Sequence, residues 1–281
     1  MTIETFETAI PQLGGRKRTI RVLLPPGYER DRQRRYPVLY MQDGHNLFSP
    51  ETATFGKHWE IGETLDRLAS QDDHRRLIIV GVDCNHDRQG MSRLDEYSPW
   101  VNPAISMDIS RARGFASAGG EGAAYLAFIA ETLMPLINMK YRTLTGPAST
   151  GIAGSSMGGL FSLYALYEQP DLFGLCGAFS TAAWFAKEAL IKHIADHVRP
   201  DLSVYLDIGT RETSDDSKED FPNRYLQDTL DIRDLLISRG LPQARLLCII
   251  DEGANHSEQS WARRFPGFIT WALDRLEGAA G

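Results

Sequence analysis

The sequence predicts an α/β fold, a mostly parallel central sheet with helices on both faces. Two observations carry this. Short β-branched and aliphatic runs alternate along the chain with stretches whose apolar residues fall three and four apart, the signature of strand followed by helix. Most of the runs are apolar on both faces, as strands buried between two helical layers must be. No period of 20 to 50 residues repeats and no low-complexity block occurs, which excludes solenoids and propellers.

In chain order, strands are expected at Ile20–Leu24, Val38–Met41, Leu77–Val82, Gly151–Ala153, Leu175–Phe179, Ser203–Ile208 and Arg245–Ile250. Helices are expected at Ile61–Leu68, Tyr125–Ile137, Leu160–Glu168, Trp184–Ile194, Tyr225–Ile237 and Phe265–Leu276. The loop from Cys84 to about Gly119 is longer than an ordinary crossover and rich in Gly, Ser, Arg and aromatics, so it is expected to wall a pocket. One domain over residues 1–281 follows, without a separate large lid domain. In such a sheet, function collects in the loops after the carboxyl ends of the strands.

Composition narrows the partners. The chain has 281 residues with 30 Lys+Arg against 37 Asp+Glu, a net charge of −7, which repels nucleic-acid phosphates and anionic membranes. Neither nucleic acid nor membrane is an expected partner. Met1–Pro11 lacks a basic segment followed by an apolar run, and no stretch of about 18 consecutive apolar residues occurs, so a cytoplasmic location is expected. Cys84, Cys176 and Cys248 are odd in number and lack CxxC spacing, which disfavours a disulfide framework or a structural zinc site.

The chemistry is concentrated at Gly154-Ser155-Ser156-Met157-Gly158-Gly159, a G-x-S-x-G segment between a predicted strand and a predicted helix. A turn sharp enough to expose Ser156 at the strand's end brings the flanking backbones together, which leaves room only for Gly at 154 and 158. The helix beginning there aims free N–H groups at the serine oxygen. The absence of a Lys after the glycines argues against a phosphate-cradling loop.

A serine hydroxyl needs a base, and the base needs a carboxylate to orient it, from later strand loops in the order Ser, acid, His. Glu212 follows the strand ending at Ile208, and His256 follows the last strand. Asp207 is the rival acid, but it lies within its strand. His45, His58, His74 and His86 precede the serine and so do not fit the base. His193 and His197, four apart on a predicted helix, have no third metal ligand nearby in sequence. For the oxyanion, Met157 supplies one N–H, and the turn after Val38–Met41 supplies the other from His45 or Asn46, with His45 preferred. Among residues near these loops, Phe48, Trp59, Tyr97, Trp100, Trp184 and Phe185 are candidates to stack on an acyl group, and Arg88 and Arg93 to hold an anion.

Further segments accompany these: Leu39-Tyr40-Met41-Gln42-Asp43-Gly44, Glu96-Tyr97-Ser98-Pro99-Trp100, Gly119-Gly120-Glu121-Gly122 leading to Tyr141-Arg142-Thr143, Gly209-Thr210-Arg211-Glu212, and Asn255-His256 with Trp261. Together with the elbow they resemble the α/β hydrolase superfamily. Within it they are most similar to the enterochelin-esterase-like hydrolases, whose family includes feruloyl esterases and S-formylglutathione hydrolase. The resemblance implies an α/β hydrolase fold and a Ser156, Glu212, His256 triad, in agreement with the loop order. Phe179-Ser180-Thr181-Ala182-Ala183-Trp184-Phe185 departs from it, since relatives tend to carry Ser-Pro and paired tryptophans there. The expected function is a serine carboxylesterase acting on a small, siderophore-like or phenolic ester, with no metal or organic cofactor. A thioesterase or S-formylglutathione-type hydrolase and a non-catalytic binding member of the fold are the alternatives. A homodimer is left open.

Overall fold

The strand register explains why chemistry gathers at one end of this molecule. The computed structural model describes residues 1–72, 74–86, 91–105, 118–215 and 217–277. Among them the strands are β1 (Thr2–Ile10), β2 (Arg16–Leu24), β3 (Val38–Gln42), β4 (Ile78–Val82), β5 (Thr150–Ser155), β6 (Leu175–Phe179), β7 (Ser203–Arg211) and β8 (Leu246–Asn255). They form one sheet in the order β1-β2-β4-β3-β5-β6-β7-β8. β1–β2 and β2–β4 are antiparallel, and every pair from β4 to β8 is parallel. The carboxyl ends of β3, β5, β7 and β8 therefore share one rim.

The helices are α1 (Ile61–Gln71), α2 (Met91–Glu96), α3 (Gly122–Lys140, with a π-helical turn at Ile129–Leu133), α4 (Met157–Glu168), α5 (Lys187–His197), α6 (Phe221–Ser238) and α7 (Glu258–Leu273). Several boundaries differ from the sequence reading, among them the last strand, which runs on to Asn255, and α6, which starts at Phe221; two differ for identifiable reasons. Ala183–Phe185 forms a separate 3₁₀ turn, because Ala186 leaves the helical region with φ −151° and ψ 47°, so α5 starts at Lys187. At the other, α7 begins two turns before Phe265. Ser257 caps it by accepting from the Ser260 N–H, and Pro266 lies inside it, so the proline had masked a helix that in fact runs through it.

β1 was not expected. It pairs antiparallel with β2 at the sheet's edge and exposes most of its side chains, so the sequence carries no buried stripe to betray it.

Side-chain alternation sorts the strands into two cores. Val38, Tyr40, Val80, Ile152 and Leu206 face one layer, with Tyr125 and Phe128 of α3 and Leu160 and Phe161 of α4. Leu39, Met41, Ile79, Ala153 and Tyr205 face the other, with Ile61 and Leu65 of α1 and Phe265, Phe268 and Ile269 of α7. α3 is long and apolar enough to cross a membrane by length and composition, but here its Tyr125, Phe128, Ile129, Leu133 and Ile137 are buried in the first core.

Candidate active site

β5 is buried along its whole length and ends in a reversal at Ser156, whose φ of 57° and ψ of −120° lie outside the regions that L-residues ordinarily occupy. Such a conformation stores on the order of 1–3 kcal/mol and persists only where the surroundings enforce it. They do so here. A Cβ on Gly154 would stand 2.8 Å from the Gly158 backbone, and one on Gly159 would stand 2.8 Å from Thr181 Oγ1, so the strand and α4 approach closely only because both positions are glycine. The Ser156 N–H donates to Phe179 O at 2.9 Å, and its carbonyl accepts from Ala182 N at 3.0 Å.

Glu212 and His256 meet because β7 and β8 remain paired to their ends. Arg211 lies opposite Asn255, beyond a register shift between Gly209 and Arg211, so the next residue on each strand emerges beside the other. The His256 Nδ1–Glu212 Oε2 distance is 2.7 Å. The carboxylate is fully buried, and its other oxygen accepts from the Gly209 N–H at 2.9 Å and the Ser180 hydroxyl at 2.6 Å. Burial alone would raise its pKa, but His256 and the Ser180 hydrogen bond outweigh that and hold it below the usual glutamate value. With an acceptor at Oε2, Nδ1 is the protonated ring nitrogen and Nε2 is left with a free lone pair. Trp261 and Tyr225 pack against the imidazole, with ring centroids 5.1 and 5.2 Å away.

Asp207, the rival acid, is held elsewhere. It accepts from the Tyr205 hydroxyl at 2.8 Å and the Ser180 N–H at 3.1 Å, and it pairs with Arg264 at 3.2 Å. Burial pushes its pKa up to about 7 despite Arg264. A carboxyl raised above its unfolded value, about 3.9, binds extra protons in the folded state, so its contribution falls as pH rises from about 4 to about 7 and is flat above. Asp207→Asn is accordingly expected to remove a downward slope in stability over that window, worth a few kcal/mol at most. Melting curves of both proteins between pH 4.5 and 8 would check it, and parallel slopes would refute it.

At the turn after β3, Asp43 takes a left-handed conformation with φ 56°. Arg93 clamps it through two hydrogen bonds of 2.8 and 2.7 Å, and the Asp43 N–H donates to the Tyr97 hydroxyl at 3.0 Å. Burial would raise the Asp43 pKa, but the Arg93 charge overcomes it and lowers it. The Asn46 N–H is committed to Asp43 O at 2.8 Å, whereas the His45 and Met157 N–H groups take no backbone partner among the described residues. Gly44 makes the close approach possible, since a Cβ there would stand 2.6 Å from the Gly81 carbonyl carbon.

A cavity of about 280 Å³ joins these parts, with Ser156, His256, His45, Asn46, Phe55 and Glu258 in its wall. Arg93 also lines it, although its guanidinium is engaged by Asp43. The other four expected substrate contacts require correction. Trp59 is buried, packed between Phe179 and Trp261 in the second core, and Tyr97 is fully buried against Phe161, so neither forms the cavity wall. Trp100 packs on Tyr164 and His193, away from the cavity, and Trp184 packs on Phe221 and Tyr225. Arg88 and much of the long loop after Cys84 lie outside the described residues. Sequence reasoning missed Phe55, Glu258 and Tyr225. Burial raises the Tyr225 pKa, opposed by its hydrogen bond with Ser214, and its ring packs on the His256 imidazole. Its only sequence signal was a place on the apolar face of α6.

A mostly parallel sheet with a serine elbow after β5 and an acid and a histidine after β7 and β8 defines an α/β hydrolase. The family described as “Putative esterase” matches residues 11–271, and the chain belongs to that family of carboxylic-ester hydrolases. An uncharacterized protein, YbbA, of Bacillus subtilis is 29% identical over 258 residues, 92% of each chain. A siderophore enterobactin esterase of Emericella nidulans is 32% identical over 160 residues, 55% of this chain and 48% of that one. Among solved structures, an IroE-like serine hydrolase from Shewanella oneidensis superposes with a TM-score of 0.71 at 20% identity, covering 97% of this chain and 80% of its own.

Proposed function

We propose that the protein is a serine carboxylesterase that hydrolyses a small siderophore-like or phenolic ester through an acyl-enzyme. The observation that carries this is the 2.7 Å contact between His256 and the buried Glu212, beside the strained Ser156 in one cavity. In this mechanism His256 Nε2 takes the Ser156 proton as Oγ attacks the ester carbonyl, and the N–H groups of Met157 and His45 receive the oxyanion. Collapse expels the alcohol, which leaves with the proton from His256. Water then repeats the sequence on the acyl-serine, with His256 again as base. Glu212 holds the imidazole tautomer and stabilises its cation. The ester class is supported by the named relative and by Phe55, an aromatic ring 74% exposed at the cavity mouth.

A fluorophosphonate is expected to label wild-type protein stoichiometrically at Ser156, in EDTA-treated enzyme as well as untreated, and to abolish hydrolysis in proportion. Activity that disappears with chelator and returns with zinc, without serine labelling, would overturn this mechanism. Rates over siderophore, feruloyl, short-acyl and thioester substrates would then fix the acyl group, a dominant thioester rate redirecting the assignment.

A further inference from the structure

The wall of the same cavity carries a second donor cluster. His45 from the turn after β3 and Cys84 and His86 from the segment after β4 place their ligand atoms within 4.8 Å of one another. Cys84 Sγ lies 3.5 Å from His86 Nε2, close to the separation of two ligands on one tetrahedral ion, and the His45 and His86 ring centroids are 4.7 Å apart.

The tautomer of His45 is set by a chain of hydrogen bonds that ends on a backbone amide. Asn46 Oδ1 accepts from the Thr54 N–H at 2.9 Å, which identifies it as the oxygen. The Thr54 hydroxyl lies 3.2 Å from that same oxygen and so must donate to it. At 3.0 Å from His45 Nε2, the hydroxyl therefore accepts, and Nε2 carries the proton. His45 Nδ1 is left with a lone pair. It is buried and has no hydrogen-bond partner among the described residues, in a side chain only 6% exposed. An orphaned acceptor of this kind needs an explanation, and an imidazole oriented through its other nitrogen is how proteins present a metal ligand.

We propose that His45, Cys84 and His86 form a metal site for a borderline-soft divalent ion such as Zn²⁺, with three protein ligands and the fourth position open to the cavity that holds Ser156. Two imidazoles and a thiolate suit such an ion better than they suit Mg²⁺ or Ca²⁺, which take oxygen ligands. On binding, the Cys84 thiol releases its proton to solvent and the sulfur ligates as thiolate. All three residues line the cavity alongside Ser156 and His256, so an occupant at the open position contacts whatever the esterase site holds. The serine mechanism uses none of these three side chains, only the backbone N–H of His45.

Titration of the full-length, EDTA-treated protein with Co²⁺ tests it. One equivalent is expected to give tetrahedral visible bands together with a thiolate-to-cobalt absorption in the near ultraviolet, both displaced by one equivalent of Zn²⁺. Cys84→Ser should lose the near-ultraviolet band. Because Cys84 is buried and its replacement can disturb folding, exposed His86 supplies the second variant: His86→Ala should weaken binding at least about tenfold. His197→Ala, at the His193–His197 pair on α5, should alter nothing. Absence of a thiolate band in the wild type, wild-type affinity in His86→Ala, or loss of the signal in His197→Ala would each overturn the site.

Discussion

Ser156→Ala is expected to lower kcat for ester hydrolysis by about 10⁴ or more while the melting temperature hardly moves. The stability half of this rests on the backbone. The strain at φ 57° belongs to any residue with a Cβ, and alanine keeps that atom in the same place, so the turn neither gains nor loses room. What disappears is the oxygen that the proposed mechanism acylates. Ser155, one residue earlier, is buried at the end of β5 and also borders the cavity, which makes Ser155→Ala a matched control. It should cost far less. Steady-state kinetics of both variants, with thermal melts, decide the matter, and a dead Ser155→Ala beside an active Ser156→Ala would move the nucleophile.

His256→Ala should be as damaging as loss of the nucleophile, and Glu212→Gln should follow at about 10⁴. The cost of the amide follows from what surrounds the carboxylate. Oε1 accepts from two donors, the Gly209 N–H and the Ser180 hydroxyl, so a glutamine would keep its oxygen there and turn its NH₂ toward His256 Nδ1. The imidazole would then carry its proton on Nε2, the nitrogen that has to act as base. Gly209 cannot relax to help, since a Cβ there would already lie 2.3 Å from Ala254 O, and the strand end is correspondingly tight. Comparing kcat for Glu212→Gln with that for Asp207→Asn separates the two carboxylates. Collapse only in the Asp207 variant would transfer the orienting role.

What the sequence made legible was whatever depends on neighbours along the chain. Val38–Gln42, Ile78–Val82 and Leu175–Phe179 are buried on both faces, so their composition alone marks them as strands. The elbow reads directly because its glycines answer a local steric demand, and Glu212 and His256 follow from topology, which assigns them to specific loops. Contacts across the sheet were not legible. Trp59 looked like a pocket aromatic until α7 packed Trp261 and Phe265 against it. Cys84 looked isolated because its neighbour His45 lies in the turn after β3, which lies beside β4 in the sheet although 35 residues and a helix separate the two strands' ranges. The edge strand β1 stayed hidden for the opposite reason: its stabilising partner is the backbone of β2, and hydrogen bonds to a backbone leave no mark on side-chain pattern.

The order in which the machinery appears along the chain has a consequence for biosynthesis. The serine turn is complete once β3, β5 and β6 are paired, α4 has formed and Ala182 has closed on the Ser156 carbonyl, all within the first 182 residues. Its acid and base arrive on β7 and β8, and the Ser180 hydroxyl that steadies the acid is itself held by Trp261 and Arg264 of α7, the last helix of the described chain. A ribosome-bound or C-terminally clipped chain thus carries an exposed serine with no means of deprotonating it. Under the proposed mechanism, hydrolysis would require the final helix to dock, which would make it a sensitive reporter of complete folding.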